Sequence, residues 1–305
     1  MLFTRRLARW LVLVLIAYLL VVLMFTLFQR SLIYFPAQTP RLLARTSGLG
    51  TARVEDVTVV ADDGIELHGW HFRPSAAKTA SAEPDPAVGS LAGAPRVAIY
   101  FSGNAGHRGY RIEEAQLLNR LGCHVLLFDY RGYGDNAGSP TEEALAGDAR
   151  SVWRYVTQQQ QVAPGRVILV GESLGGGVAV RLASECCEQG TPPGGLVLRA
   201  TFSSLVDVAS WHYPWLPVAW ALEERYPSIE RAPRITCPIL QFHGTRDTIV
   251  PESLGRRLFA AFPEMSSSGQ TKRYIELPGV DHNDILERAE DEIEGALRDW
   301  LAQLD

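Results

Sequence analysis

The chain has 305 residues, of which 47% are hydrophobic and 21% charged, and its formal net charge is −5. This length suits one large α/β domain or two small ones, and the composition excludes a disordered or collagenous chain. No dense Lys/Arg stripe marks a nucleic-acid surface, the four cysteines fit no zinc spacing, and no internal repeat is present.

The first element in chain order is WLVLVLIAYLLVVLMFTLFQ at 10–29, a run without a charge. As a helix it spans ~30 Å, the thickness of a hydrocarbon core. Arg5, Arg6 and Arg9 precede it and Arg30 follows. That asymmetry predicts an N-terminus that stays in the cytoplasm and a remainder outside it. A cleaved signal peptide fits less well, because the run exceeds the ~7–15 residues of a typical h-region and no A-x-A-like site follows. Residues 1–30 therefore read as a cytoplasmic stub and transmembrane signal anchor, and 31–53 as a connector. Within the connector, Leu32, Ile33, Tyr34 and Phe35 are expected to rest on the bilayer surface or on the domain.

Residues 54–305 read as one catalytic domain. It begins with two alternating runs, 54–60 and 65–72, around Asp62-Asp63-Gly64, the pattern of a β-hairpin. Residues 75–95, rich in Ala, Ser, Pro and Gly, read as a flexible surface loop. Short apolar runs then alternate with helical patterns. The runs are 97–101, 125–128, 167–170, 196–198, 239–242 and 273–277; the helices are 111–121, a segment opened by Ser139-Pro140-Thr141-Glu142 and reaching about 160, then 173–188, 251–262 and 284–304. This predicts a mostly parallel sheet with helices on both faces. Between 203 and 237 the pattern breaks into aromatic and proline-rich pieces, expected to form a small helical lid.

The run VILV at 167–170 leads directly into GESLGGG. A serine between glycines on a sharp strand-to-helix turn has its hydroxyl exposed, with the positive end of the next helix behind it. Ser173 is the candidate nucleophile; Glu172, beside it, is expected to face away from the crevice. A hydroxyl needs a base, and the base an orienting acid. His282 follows the last strand and Asp247 the preceding one, so the chain order is Ser, Asp, His, as in an α/β-hydrolase. Asp281 and Asp284 are rival acids, too near His282 in sequence to reach its far ring nitrogen. An oxyanion hole calls for two backbone N–H donors: Leu174, and Asn104 or Ala105 in SGNAG, with Asn104 favoured. Ala105 and Tyr133 are candidate lining residues. Trp211 and Trp215, with Trp220, read either as an acyl-binding, lipid-facing lid or as lid core. Asp129 and Arg131 read as a pair shaping their loop, His243 as structural, and His68 and His71 as lying on opposite strand faces, which disfavours a metal site. This chemistry requires no metal or organic cofactor.

Beyond the motifs taken singly, QRSLIYFP, GNAG, DYRGYGDNAG, GESLGGG, SLVDVA with YPWLPV, HGTRDTIVP and GVDHND together span nearly the whole chain. In these the chain resembles the membrane-anchored α/β-hydrolase-domain families, whose eukaryotic relatives include protein depalmitoylases. The resemblance implies the α/β-hydrolase fold and Ser173, Asp247 and His282 as a triad. The chain departs from it at Ser102, where such proteins usually carry His. The expected function is cleavage of an ester or thioester through an acyl-serine, with a membrane and a small acylated substrate as partners. A serine peptidase of the prolyl-oligopeptidase-like kind and an inert membrane-held binding scaffold are the alternatives.

Overall fold

The computed structural model describes residues 2–49, 53–74, 91 and 93–304. The expected loop at 75–95 falls almost wholly outside these.

The strands are β1 (Phe35–Pro36), β2 (Val54–Val60), β3 (Glu66–Phe72), β4 (Val97–Phe101), β5 (Ala105–Gly106), β6 (His124–Phe128), β7 (Val167–Glu172), β8 (Gly195–Arg199), β9 (Ile239–Gly244) and β10 (Arg273–Leu277). The helices are α1 (Leu2–Ile33), α2 (Ile112–Arg120), α3 (Glu142–Arg154), α4 (Leu174–Glu188), α5 (Leu205–His212), α6 (Val218–Ala221), α7 (Ser228–Arg231), α8 (Glu252–Ala261) and α9 (Ile285–Leu301). Eight strands form one sheet in the order β10-β9-β8-β7-β4-β6-β3-β2. The hairpin β2–β3 is antiparallel and forms one edge, β3 meets β6 antiparallel, and the remaining pairs are parallel.

The continuously apolar central strands have two buried faces, and their side chains alternate between two cores. Val97, Ile99 and Phe101 of β4, with Val167 and Leu169 of β7, join the core under α3, α4 and α8. Ala98, Tyr100, Ile168 and Val170 join the core under α2 and α9. This is the period-two alternation of a sheet covered on both sides. Thr141 caps α3 by accepting from the Ala144 N–H at 3.1 Å, and Ser204 caps α5 through the Asp207 N–H at 3.0 Å. The helix expected to reach about 160 does so: α3 passes at Arg154 into a wider π-turn over Tyr155–Gln159.

α1 is long and apolar enough to cross a membrane, with a mean hydropathy of 3.1 over its richest window. It runs to Ile33, past the boundary at 30 expected from sequence. Ile33 and Tyr34 are buried on the domain. β1 then pairs in parallel with β5, matching Phe35 to Ala105 and Pro36 to Gly106. The connector is thus stitched to the loop that follows β4.

The end of β7 is fixed by a partly buried ion network. Glu172 accepts from Arg111 through Nε at 2.6 Å and Nη2 at 2.9 Å, and from the Tyr100 hydroxyl at 2.9 Å. Arg199 of β8 approaches it at 3.1 Å and Glu114 of α2 at 3.2 Å. Burial pushes the Glu172 carboxyl up, but Arg199 and Arg111 outweigh it and hold the pKa at about 2, down from 4.5. A carboxyl depressed in this way stabilises the fold above its unfolded value, and that stabilisation is lost as pH falls from about 4.5 toward 2. Glu172→Gln is expected to cost a few kcal/mol at neutral pH and to flatten the acid limb of melting temperature against pH; an unchanged acid limb would contradict the network's role. A Cβ at Gly175 would overlap the carbonyl of Phe101, so Gly175→Ala is expected to cost about 1–3 kcal/mol, read as a lowered melting temperature.

Candidate active site

The residue after β7 is forced into an unusual conformation. Ser173 has φ 51° and ψ −117°, a left-handed backbone that side chains rarely adopt. Its N–H donates to the Arg199 carbonyl at 2.8 Å, and its carbonyl accepts from the Gly176 N–H and the Thr201 hydroxyl, both at 2.9 Å. α4 turns back so sharply that a Cβ at Gly176 would overlap Thr201, and one at Gly175 would overlap β4. No side chain caps α4. Its N-cap is Ser173 itself, whose hydroxyl turns to a histidine instead.

That histidine is His282, whose Nε2 lies 3.1 Å from Ser173 Oγ. Its Nδ1 lies 2.7 Å from Asp247 Oδ2. Asp247 has a fully buried side chain, and its Oδ1 accepts the N–H groups of Ile249 at 3.0 Å and Val250 at 2.6 Å. Burial pushes this carboxyl up, but hydrogen bonds from His243, His282 and the Val250 backbone hold it at about 2. An anion at Asp247 fixes the His282 proton on Nδ1, leaving Nε2 free to accept from the hydroxyl.

Two supports were not legible as such. His243 is fully buried, donates from Nε2 to the Val250 carbonyl at 2.9 Å and lies 3.3 Å from Asp247 Oδ2, so it braces the acid from below. Asp281, read as a rival acid, ties the two loops together instead. It accepts the Thr248 N–H at 2.8 Å and hydroxyl at 3.0 Å, and the His282 N–H at 2.8 Å. Both residues stand in the motifs HGTRD and GVDHN, so proximity to the candidate acid and base was the available signal.

Leu174 and Asn104 both line the cavity beside Ser173. Neither backbone N–H has an acceptor among the described residues, which leaves both free for an oxyanion. The Asn104 side chain donates to the Ile33 carbonyl at the end of α1 at 2.7 Å. Its own carbonyl accepts the Phe35 N–H at 2.9 Å and the Tyr133 hydroxyl at 2.7 Å. Ser102 buries a hydroxyl with no partner among the described residues, and its carbonyl accepts from Tyr130 at 2.8 Å.

The other expected lining residues lie elsewhere. Tyr133 is buried and braces Asn104 rather than facing the cavity. Ala105 is taken up in pairing with Phe35. Trp211 and Trp215 are half-exposed and do not line the cavity; the lid's cavity face is made by residues such as Leu205, Val208, Ala209, His212, Tyr213 and Leu216. Asp129 does not pair with Arg131. It takes Arg108, while Arg131 reaches Asp148 and Asp63. His71 stacks on His124 with ring centroids 5.2 Å apart, and the four cysteines are free thiols.

Above Ser173 opens a cavity of about 410 Å³, in the range of small-ligand pockets. Phe202, Ile249, Val250 and the lid supply one side. Val22, Phe25, Thr26, Gln29, Leu32 and Ile33 of α1 supply the other. Among the described residues its lining is apolar apart from Thr26, Gln29, Asn104, Ser173, His212 and Tyr213, and includes no carboxylate.

Comparison with known proteins agrees with this architecture. Residues 99–217 match the alpha/beta hydrolase fold family. An uncharacterized protein of Mycobacterium tuberculosis is 44% identical over 256 residues, 84% of this chain and 81% of its own length. The lysophosphatidylserine lipase ABHD12 of Danio rerio is 32% identical over 251 residues, 76% of this chain and 65% of its own length. Among solved structures, an esterase of Pyrococcus furiosus superposes with a TM-score of 0.62 at 15% identity, covering 89% of this chain and 98% of the esterase. At that identity the likeness concerns the fold. Sequence and architecture thus agree that the chain belongs to the α/β-hydrolase family.

Proposed function

We propose that the protein is a membrane-anchored serine hydrolase that cleaves an ester or thioester of an acyl or lipid-like substrate. The observation that carries this reading is the hydrogen-bonded series Ser173–His282–Asp247 at the floor of an apolar cavity. His282 Nε2 takes the hydroxyl proton as Ser173 Oγ attacks the acyl carbonyl. Asp247 holds the imidazole and stabilises its cation. The developing oxyanion accepts from the N–H groups of Leu174 and Asn104. His282 then gives the proton to the leaving group, an acyl-serine forms, and water deprotonated by the same imidazole releases the acid. The relatives named lysophosphatidylserine lipases support a lipid ester as the substrate class. Among the described residues the cavity lining has no carboxylate to offer a counter-charge for a peptide's amino terminus, which favours an acyl chain over aminopeptidase substrates.

α1 is the proposed anchor. Arg5, Arg6 and Arg9 at its start support an orientation with that end in the cytoplasm and the catalytic domain on the opposite side.

A panel of p-nitrophenyl esters, acyl-thioesters and aminoacyl amides tests the reaction. Turnover of the first two is expected, with Ser173→Ala lowering kcat by roughly 10⁵–10⁶ and Asp247→Asn by roughly 10⁴. Turnover surviving in Ser173→Ala would overturn the mechanism. For the orientation, protease added to spheroplasts expressing the full chain is expected to remove the domain at 54–305, whereas inverted vesicles protect it; the reverse pattern would place the domain in the cytoplasm.

A further inference from the structure

One wall of the cavity is the candidate membrane helix itself. Val22, Phe25, Thr26 and Gln29 stand at i, i+3, i+4 and i+7, a single helix face. These positions turn half-buried or buried, whereas residues 11–20 of α1 are exposed all round. The face is held to the lid by specific contacts. The Tyr18 hydroxyl donates to the Trp215 carbonyl at 3.0 Å. Phe25 packs on Tyr213 and Trp215 with ring centroids 5.6 and 6.1 Å away. The Glu223 N–H donates to Gln29 Oε1 at 2.7 Å, and Arg30 pairs with Glu224 at 2.8 Å.

These contacts fix the lid's depth. Gln29, Arg30, Glu223 and Glu224 form a polar collar suited to the headgroup level. Tyr18 lies below that collar by ~16 Å at ~1.5 Å per residue, about half of a ~30 Å hydrocarbon core. The lid segment 213–222 reaches the same depth, is uncharged, and leaves Trp215 53% and Trp220 93% exposed. A tryptophan this exposed on an uncharged surface suits lipid better than water. With that collar at the headgroups, the cavity between this lid and α1 falls at the depth of one leaflet's acyl layer, with Ser173 at its inner end.

We infer that the substrate's acyl chain enters sideways from the bilayer between α1 and the lid. It then lies along Val22, Phe25 and Thr26 with its carbonyl at Ser173, so that the anchor helix is also the acyl-binding, chain-length-determining wall. This rests on the serine hydrolase reading and adds to it that the membrane helix is part of the substrate site.

The full chain in phosphatidylcholine nanodiscs is treated with a palmitoyl-length alkyl fluorophosphonate carrying a diazirine at its tail. After the phosphonyl group has bonded to Ser173, irradiation is expected to crosslink the tail to the α1 peptide containing Val22–Gln29. Crosslinks confined to the domain at 54–305 overturn the inference and leave the hydrolase intact. Failure of short and long fluorophosphonates alike to modify Ser173 overturns both. In parallel, Val22→Trp and Thr26→Phe are expected to lower the palmitoyl-to-butyryl ratio of kcat/KM at least tenfold while short-ester turnover persists. Leu23→Trp, on the exposed face, is expected to leave that ratio unchanged. Equal losses for both chain lengths, or an unchanged ratio in the filled variants, overturn the role of α1 in selection. Should the filled variants fail to fold, the crosslink in the wild-type chain decides.

Discussion

The site depends on one strained turn. Between β7 and α4 the backbone passes through a left-handed residue at Ser173, and nothing at that residue alone favours such a conformation. The surroundings impose it: α4 packs so close to β4 and β8 that only glycine fits at 175 and 176. Hydrogen bonds from the neighbouring strand ends hold the serine's own N–H and carbonyl. With the peptide groups so occupied, the side chain has one polar direction left, toward His282. Strain at a functional residue persists where packing over-determines it, and here the same packing brings the free N–H of Leu174 to the cavity floor.

The second half of the proposed oxyanion site is held from another direction. Asn104 is clasped between the last carbonyl of α1, the N–H of Phe35 and the hydroxyl of Tyr133. The long apolar helix is therefore in hydrogen-bonded contact with a loop that lines the cavity. A helix serving only as a tether would need a loose linker. This one is followed at once by a short parallel pairing with β5 and a buried Tyr34 bonded to Glu224 at 3.0 Å and to Tyr226 at 2.8 Å. α1, the lid and the loop after β4 form one packed unit.

Much of this was legible in the sequence because it is local. The apolar runs gave the central strands, the charge-free run gave α1, and glycine spacing around Ser173 marked the turn. The positions of Asp247 and His282 after successive strands followed from the rule that parallel sheets bear their chemistry at strand ends, and the structure brings both to Ser173. What was not legible involves partners far apart in the chain. Arg108 is twenty-one positions from Asp129 and Tyr18 almost two hundred from Trp215, and no periodicity encodes such pairs. Trp211 and Trp215 suggested a lining by their size, but the lid's cavity face is made by its aliphatic residues with His212 and Tyr213, and both indoles stay half-exposed. Composition could not reveal this, because an indole suits a core and a lipid interface equally well.

The central claim is that His282 makes Ser173 a nucleophile. It is tested most directly by peptide mapping after reaction with a short alkyl fluorophosphonate, comparing the native chain with His282→Ala. The account requires a single phosphonyl adduct on Ser173 in the native protein and its loss in the variant. An unmodified Ser173, or equal modification in both proteins, would contradict it.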